Sequence, residues 1–270
     1  MPELPEVIKF TDTLRGILMN CQITFISILK GPYLTNPKAE YTLFRDILQG
    51  INYPLHVEQI DNKGKWMFIH FDNQRCLAIH HNLAGCWSTR QGKHSLLKLE
   101  FTNTDGQNSE IFLQDQRRFS KFKFLFGENT SKFYTTIGPQ INHITSETFV
   151  QLYRAHPKKR ICDLLINQVV VSGIGNYIRA DAMYLAGIHP LKLVKDLTDE
   201  QLFALHEACI EVVRNSLSAG ATTVHGDYEN RLHHGKYEPI VYQKKHVDGH
   251  EVDVITIADR SIYWVPDVQV

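Results

Sequence analysis

The chain has 270 residues with 29 basic and 29 acidic side chains, so its formal net charge at neutral pH is zero. This length suits two modest domains, and the lack of any run of about 18 apolar residues argues against a membrane-spanning helix. The balanced charge weakly disfavours a nucleic-acid partner, although local patches rather than total charge neutralise phosphates. The start MPELPEV is not a signal peptide, and five scattered cysteines predict reduced thiols in an intracellular protein.

The first half of the chain predicts one helix followed by antiparallel strands. Apolar residues recur at helical spacing from Glu6 to Asn20. From residue 22 to about 126, short β-branched or aromatic stretches alternate with Gly, Asn and Asp, which is typical of a β-sandwich. The clearest strands are Gln22–Ile28, Trp66–Phe71 and Phe119–Phe124.

The second half returns to a helical period. Apolar density falls over 127–145, and Thr198–Gln201 forms a capping box ahead of a helix. Near the end, Ile240–Tyr242 and Ile262–Val265 predict a short hairpin. We expect a β-sandwich domain at 1–136, a linker at 137–149, a helical domain at 150–220, and a loop with a hairpin at 221–270.

The stretch Ser172–Asp181 is the most informative segment of the chain. It follows a mostly apolar run, Ile161–Val171, that could be helical. Two glycines allow a tight turn, after which Asn176 is expected to cap a second helix. A helix N-terminus behind such a turn presents free N–H groups to an anion such as phosphate. Spacing alone allows an ordinary helix–turn–helix corner equally well.

Four motifs together resemble the formamidopyrimidine-DNA glycosylase and endonuclease VIII family. GIGNYIRADAMYLAGIHP at 173–190 is similar to its helix–two-turn–helix segment, and MPELPEV to its N-terminus. Lys63–Trp66 resembles its lysine-bearing strand, and Asp115–Phe119 resembles its Asp-x-Arg-Arg-Phe run. The motifs occur in family order and span nearly the whole chain. The resemblance implies an α+β fold: an N-terminal helix, an antiparallel β-sandwich, and a C-terminal helix–two-turn–helix domain with a finger hairpin.

The resemblance also assigns chemistry to the N-terminus. Once Met1 is removed, Pro2 would carry a free secondary amine, whose pKa lies nearer neutrality than that of a lysine. Such an amine attacks C1′ of a damaged nucleotide and forms an iminium, a Schiff base that drives β,δ-elimination. Glu3 would act as proton donor and acceptor, while Glu6 would position the amine or complement the helix dipole. Without the other motifs, these residues would read as a disordered tail.

Further residues are expected to hold the DNA. By the resemblance, Lys65, Asn176 and Arg260 contact phosphates, which positions the sugar. Leu83, Arg117 and Phe119 would fill the hole left by an extruded nucleotide. The alternatives are a solvated strand lysine for Lys65, a simple helix cap for Asn176, and core positions for Leu83 and Phe119.

The chain departs from the family in its finger. Many members hold four zinc-binding cysteines there, whereas Gly249, Val252, Trp264 and Val268 stand at the aligned positions. These residues cannot form a tetrahedral thiolate site, so we expect no metal and no cofactor. The hairpin is then a zincless finger, packed by Tyr263 and Trp264. Asp181 is a second departure, since relatives usually carry glutamate; one methylene shorter, it could still bind turn N–H groups.

Two functions follow from these features. The first is a base-excision-repair glycosylase and AP lyase that removes oxidised bases, with pyrimidines or hydantoins favoured over 8-oxoguanine and formamidopyrimidine. The second is a non-catalytic protein that binds damaged DNA, double- or single-stranded. In either case we expect a monomer without membrane contact, in the cytoplasm and nucleoid of a bacterium or the nucleus of a eukaryote.

Overall fold

The structure is a computed structural model that describes residues 2–223, 230–257 and 260–270. The chain folds into two compact units. Among the described residues, unit 1 contains Pro2, 6–134 and 221–235, and unit 2 contains 3–5, 135–220 and 236–270. The expected four-part division, with a linker at 137–149, stays a prediction.

Helix α1 (Leu4–Leu18) confirms the predicted N-terminal helix. Val7, Phe10 and Leu14 are spaced three or four residues apart, so they share one face, and all are buried in the core of unit 1. The helix ends two residues before Asn20, which adopts a positive φ of 62°. That left-handed residue turns the chain into the first strand.

The described part of unit 1 contains an eight-stranded antiparallel sheet in the order β5-β7-β6-β1-β2-β3-β4-β8. Its two halves, β5-β7-β6-β1 and β2-β3-β4-β8, are joined at β1 and β2 by only two residue pairs. The strands are β1 (Gln22–Ile28), β2 (Leu55–Lys63), β3 (Trp66–Phe71), β4 (Arg75–His80), β5 (Cys86–Ser88), β6 (Ser95–Thr102), β7 (Asn108–Gln114) and β8 (Lys121–Phe126).

The structure differs from the predicted elements of unit 1 at three places. Strand β8 begins at Lys121 rather than Phe119, because the N–H groups of Phe119 and Ser120 bind the Asp115 side chain. Helices α2 (Pro32–Thr35) and α3 (Ala39–Gln49) interrupt the predicted strand region. A further helix, α4 (Glu128–Thr135), closes the main segment of unit 1.

Unit 2 is helical. It contains α5 (Ser146–Arg154), α6 (Ile161–Leu165), α7 (Asn176–Leu185) and α8 (Asp199–Ser218). The capping box is confirmed, because Thr198 Oγ1 accepts from the Gln201 N–H and the Gln201 side chain accepts from the Thr198 N–H. The run Ile161–Val171 is helical only to Leu165. Gln168 explains the turn that follows, since its side-chain amide donates to the carbonyls of Ile166 and Ile174.

The C-terminal segment of unit 2 contains short antiparallel hairpins. Strands β9 (His246–Val247) and β10 (His250–Glu251) form one, and β11 (Asp253–Ile257) and β12 (Arg260–Trp264) form another. The prediction that Ile240–Tyr242 pairs with Ile262–Val265 is therefore wrong. No helix among the described residues has the length and hydropathy needed to cross a membrane.

Candidate active site and nucleic-acid interface

The carboxylate of Glu3 occupies the N-terminus of helix α7. Its Oε2 accepts from the N–H groups of Gly175 (2.8 Å) and Ile178 (3.2 Å), and its Oε1 accepts from the N–H of Tyr177 (2.9 Å). The Glu3 residue is 1% exposed. Three N–H donors and the positive end of the helix dipole stabilise a carboxylate at this place. The anion site expected at this helix terminus is thus filled by a side chain of the protein itself.

Two glycines make this arrangement possible. A Cβ on Gly175 would lie 2.2 Å from Glu3 Cδ, which is far inside contact distance. Gly173 has a φ of +103°, and its carbonyl accepts from the Leu4 N–H at 3.1 Å. The Gly-Ile-Gly turn is therefore required by the close approach of Glu3 and by the left-handed backbone.

Asn176 is the first residue of α7, and Gly175 stands at the N-cap position without a side-chain cap. The prediction that Asn176 is the cap is wrong, because Glu3 supplies the capping oxygens. The Asn176 Oδ1 instead accepts from Arg179 Nη2 at 3.4 Å. Burial raises the pKa of Tyr242, and a hydrogen bond to Asn176 partly opposes that rise. Asn176 is therefore fixed by two neighbours, and its phosphate contact stays a prediction.

Arg179 was not singled out in the sequence, yet it connects α7 to the C-terminal hairpin. It is 1% exposed, donates from Nη1 to the Cys162 carbonyl (3.3 Å), and from Nη2 to the Ser261 carbonyl (3.1 Å). Its burial lowers its pKa. Arg260 precedes Ser261 and is exposed. The signal available in the sequence was a charged residue within an apolar helix.

Asp181 binds the segment that was predicted as a strand. Its carboxylate accepts from the N–H groups of Ile240 (2.8 Å), Val241 (2.9 Å) and Tyr242 (3.2 Å), and from the Tyr237 hydroxyl (3.3 Å). Those N–H groups are consequently not available for a sheet ladder. The expectation that the shorter Asp181 still binds turn N–H groups is confirmed. Burial raises its pKa to about 6, although the four hydrogen bonds act in the opposite direction.

The finger region is held together by apolar side chains. Val241, Val252 and Val265 are buried in one cluster, and Tyr263 and Val268 pack against it. Trp264 instead packs against His189, with ring centroids 4.5 Å apart, so only Tyr263 fulfils the expected packing role. The residues aligned with the family's zinc ligands do not fit a metal ion, and the described residues contain no cluster of three metal-ligating side chains.

On unit 1, Glu6 lies in the first turn of α1 and is fully buried. Its Oε1 accepts from the Thr222 N–H (2.7 Å) and the Thr222 hydroxyl (2.9 Å). Glu6 thus anchors the backbone at Thr222, just before residues 224–229, which lie outside the described residues. Pro2 is buried, and Met1, whose removal was expected, lies outside the described residues. The roles of Pro2 and Glu6 stay predictions.

Lys65 is 8% exposed and lies in the two-residue turn between β2 and β3, where Lys63 pairs with Trp66. The sequence had suggested a lysine within a strand, with a solvated side chain as the alternative. The structure shows neither, because Lys65 is a buried residue of a turn. Gly64, with a φ of +55°, supplies the left-handed residue of this turn. Burial, followed by the charges of Lys65 and Lys121, lowers the pKa of His80 to about 4. The phosphate contact of Lys65 stays a prediction.

Leu83, Arg117 and Phe119 line one cavity of unit 1. Leu83 is in a turn and Phe119, 54% exposed, is in a loop, so neither is a buried core residue. Asp115 holds that loop in place, because its carboxylate accepts from the N–H groups of Arg117 (2.9 Å), Phe119 (2.9 Å) and Ser120 (2.8 Å). The Asn82 side chain also donates to the Phe119 carbonyl, which joins the turn to the loop.

The described cysteines are all buried, unpaired thiols. Burial raises the pKa of Cys76 and of Cys86 to about 12, and that of Cys162 to about 11. At neutral pH these groups are therefore protonated and poor nucleophiles.

Comparison with known proteins gives two family models that match most of the chain. Residues 1–122 match the formamidopyrimidine-DNA glycosylase N-terminal domain, and residues 136–227 match the formamidopyrimidine-DNA glycosylase H2TH domain. The formamidopyrimidine-DNA glycosylase of Latilactobacillus sakei is 28% identical over 286 residues, covering 100% of this chain and 98% of the relative. That of a Roseiflexus species is 29% identical over 237 residues, covering 85% and 83%.

Solved structures show the same fold. The Lactococcus lactis Fpg bound to DNA with an abasic site superposes with a TM-score of 0.84, at 22% identity and 99% coverage of both chains. The same Lactococcus protein bound to DNA with an oxidised pyrimidine gives a TM-score of 0.83, at 22% identity and 99% coverage of both.

Proposed function

Because the chain belongs to the formamidopyrimidine-DNA glycosylase and endonuclease VIII family of DNA glycosylases with AP lyase activity, we propose that it excises oxidised pyrimidines or hydantoins. The observation that carries the catalytic part of the proposal is the Glu3 carboxylate, and the choice of lesion rests on the resemblance to endonuclease VIII-like members. Glu3 directly follows Pro2 in the chain and is fixed by three backbone N–H groups of α7. A protein that only binds damaged DNA has no need for a fixed carboxylate in the residue that follows the N-terminal amine.

In the proposed reaction, the nitrogen of Pro2 acts as a neutral amine after Met1 is removed. Its lone pair attacks C1′ of the damaged nucleotide, and the C1′–N bond breaks with its electron pair going to the base, which takes up a proton. The amine then carries a positive charge and releases its proton to Glu3. Glu3 passes this proton to O4′, so that the sugar ring opens and an iminium forms between Pro2 and C1′.

The iminium withdraws electrons from the neighbouring carbon. Loss of a 2′ proton moves an electron pair toward the iminium, and the C3′–O3′ bond breaks with its pair leaving on the 3′ phosphate. A second elimination releases the 5′ phosphate in the same way, and water finally hydrolyses the adduct and regenerates Pro2. The Glu3 carboxylate stabilises the cationic intermediates because its negative charge is pre-oriented by the α7 N–H groups.

The remaining proposed residues position the DNA. Lys65, Asn176 and Arg260 bind phosphates of the damaged strand, which fixes the sugar for attack. Leu83, Arg117 and Phe119 replace the extruded nucleotide within the stack. Two observations on Phe119 support this role. Its ring is exposed, and its backbone is held by the Asp115 carboxylate, as a side chain that inserts into stacked bases requires a rigid support.

A second candidate substrate is a formamidopyrimidine or 8-oxoguanine. It is favoured by the names of the bacterial relatives described above. A panel of oligonucleotides with a single thymine glycol, hydantoin, formamidopyrimidine or 8-oxoguanine, each opposite all four bases, separates the two under single-turnover conditions. Preference for formamidopyrimidine or 8-oxoguanine over thymine glycol and hydantoin by more than tenfold would replace the first candidate with the second.

Borohydride trapping on an oligonucleotide with an abasic site tests the chemistry. The protein should give a covalent adduct when Pro2 is its free N-terminus, because borohydride reduces the iminium. The matched control is the same protein with a cleavable N-terminal tag, before and after cleavage, together with Pro2→Gly. Chelators should leave trapping unchanged. If the free-Pro2 protein binds the oligonucleotide without forming an adduct, the chain is a non-catalytic binder.

The proposed function also predicts the oligomeric state of the protein and its location in the cell. We infer that it acts on cellular DNA as a monomer without a cofactor, in the nucleoid of a bacterium or the nucleus of a eukaryote. Analytical ultracentrifugation with and without a short duplex tests the monomer, and a second protein copy on one lesion would contradict it.

A further inference from the structure

Two segments of unit 2 carry a cluster of lysines at one end of the helices α6 and α7. Residues 156–160 lead into the N-terminus of α6, and residues 189–195 follow the C-terminus of α7. Three of the four lysine side chains are exposed, and that of Lys192 is half-buried. The four residues form the lysine patch: Lys158, Lys159, Lys192 and Lys195.

Hydrogen bonds between the two segments fix the backbone that carries the lysine patch. The Val194 N–H donates to the Lys159 carbonyl (3.0 Å), and the Lys195 N–H donates to the Pro157 carbonyl (3.0 Å). Arg154 adds a further bond, because its Nη1 donates to the Val194 carbonyl at 2.8 Å. The four ammonium groups are therefore carried on adjoining, hydrogen-bonded backbone rather than on a free loop.

The arginines of this region have carboxylate partners, whereas the lysines do not. Arg160 Nε lies 2.7 Å from an oxygen of Asp163, and Arg154 Nη2 lies 2.6 Å from an oxygen of Asp199. Within the described part of the chain, no carboxylate forms an ion pair with a lysine of the patch. The acidic residue next to the patch in sequence is the exposed Asp196. Like charges on adjoining backbone repel one another, so their clustering indicates an anionic ligand.

The composition of the lysine patch favours the phosphates of duplex DNA over a protein or a single strand. Neither of the two segments contains Phe, Tyr or Trp. Protein interfaces are enriched in aromatic side chains and depleted in lysine, and single-stranded DNA is held by bases that stack on aromatic rings. Lysines are flexible point charges, which suit the phosphates of a duplex whatever its sequence.

The lysine patch is separate from the Glu3 site. Glu3 binds N–H groups at the first turn of α7, whereas Lys192 follows the last residue of that helix, Leu185. With its 10 residues, α7 is about 15 Å long. The two ends of a helix face in opposite directions, so a straight duplex held at the Glu3 end does not reach the patch.

We propose that the lysine patch binds the phosphates of a second, undamaged DNA duplex while a damaged duplex occupies the Glu3 site. This inference goes beyond the proposed function and rests on it only for the occupant of the Glu3 site. Sequence-independent contacts of this kind are weak, with dissociation constants of roughly 10⁻⁴–10⁻⁶ M at physiological salt. The bridge allows the protein to pass from one duplex to another without first becoming free in solution.

The test first fixes the protein on a damaged duplex. The full chain is trapped by borohydride on a biotinylated abasic duplex, bound to streptavidin beads and offered a fluorescent undamaged duplex. The wild-type adduct should retain this second duplex at low salt. If all four lysines contact phosphates, the affinity for it should fall roughly 150-fold between about 50 and about 200 mM salt, because each contact adds about −0.9 to the slope of log K against log salt.

The variants separate the patch from total charge and from folding. The double variant Lys158→Gln with Lys195→Gln should form the borohydride adduct normally but bind the second duplex at least tenfold more weakly, with a slope reduced by about two units. The matched control is Lys38→Gln with Lys132→Gln, which removes two exposed lysines of unit 1 and should retain the second duplex as the wild type does. Thermal unfolding of the patch variant should give an unchanged or higher Tm, because like-charge repulsion is removed.

Several results would overturn the proposal: a wild-type adduct that retains no second duplex at low salt, a patch variant that retains it fully, or equal losses in the patch and control variants. A lower Tm of the patch variant would assign the lysines a structural role instead. Displacement of the second duplex by polyglutamate at lower concentrations than by unlabelled duplex would assign the patch to an acidic protein segment.

Failure of the proposed function is distinguishable, because it appears as a wild-type protein that gives no borohydride adduct. Capture is then measured with the protein held on the beads by a C-terminal tag. The wild type should still retain more undamaged duplex than the patch variant, and equal retention by the two would overturn the inference.

Discussion

The Glu3 site and the Arg117–Phe119 loop are both held by one carboxylate, but the two carboxylates differ in how far along the chain their N–H donors lie. In each, one buried carboxylate accepts from three backbone N–H groups. The donors to Asp115 lie two to five residues away, whereas the donors to Glu3 lie 172 to 175 residues away. The loop can therefore form locally, and the Glu3 site exists only once the chain has folded.

The two regions also differ in which group acts. At the α7 terminus the carboxylate is itself the proposed chemical group, and it is buried. In the loop the carboxylate only anchors the backbone, while the exposed Arg117 and Phe119 are the proposed functional side chains. Substitutions should therefore affect chemistry and stability together at Glu3, but separate them in the loop.

Among these substitutions, Glu3→Gln should reduce the rate of excision the most. The carboxamide places an NH₂ group against N–H donors and removes the proton relay, so excision should fall at least a hundredfold. Single-turnover cleavage of a lesion duplex measures the loss, and thermal unfolding should show destabilisation of about 1–3 kcal/mol. Glu58→Gln, at an exposed position on β2, is the control. Wild-type activity in Glu3→Gln would remove Glu3 from the mechanism.

Asp181→Asn sharpens the comparison with a third carboxylate that binds several N–H groups. The pKa of Asp181 is about 6 in the fold against 3.8 for an ordinary aspartate, so the folded protein binds the proton more tightly. Its contribution to stability is complete below about pH 4 and is lost as pH rises to about 6, by up to about 3 kcal/mol. Denaturant unfolding of both proteins across this range should show that decline in the wild type and not in Asp181→Asn. The same dependence of the free energy of unfolding on pH in both proteins would contradict the raised pKa of Asp181.

Asp115→Asn should destabilise the loop by about 2 kcal/mol, because one carboxylate oxygen is replaced by a donor facing the Phe119 and Ser120 N–H groups. Excision from duplex DNA should fall with it, whereas borohydride trapping on single-stranded abasic DNA should persist. Asp105→Asn, in an exposed turn, serves as the control. Equal loss on both substrates would show that the loop contributes to the chemistry itself.

Phe119→Ala should have the smallest effect on stability. The ring is 54% exposed, so the free energy of unfolding should change by less than about 0.5 kcal/mol, while excision from a duplex should decrease. Phe126→Ala is matched in type and exposure, at 44%, and lies outside the loop, so it should leave excision unchanged. Equal excision by the two variants would argue against insertion of Phe119 into the stack.

Sequence reasoning succeeded where the determining groups are close together in the chain. The α1 periodicity, the Thr198 capping box and the strand Trp66–Phe71 depend on neighbours within a few residues, and each was predicted correctly. The fold class and the family were predicted from four motifs that occur in the chain in the same order as in the family. No comparable local signal marks the approach of Glu3 to α7, so the cap was assigned to the nearby Asn176 instead of to a residue 172 positions from Gly175.

Two further errors have the same origin, and a third has a local one. Ile240–Tyr242 has the composition of a strand, but its N–H groups bind Asp181, some 60 residues away. Arg179 was overlooked because its partner Ser261 lies 82 residues along the chain. Lys65 was assigned to a strand because the sequence does not distinguish a two-residue turn from the strands that flank it.

The valine cluster of the finger has a consequence for the conditions under which the protein can work. Oxidised bases accumulate during peroxide stress, when thiolates are also attacked and zinc is released from the sites they form. A hairpin packed by Val241, Val252 and Val265 offers the oxidant no sulfur ligand, and the buried thiols elsewhere are protonated and shielded. Under the proposed function, the oxidation that creates the substrate would therefore remove no ligand that holds this hairpin together.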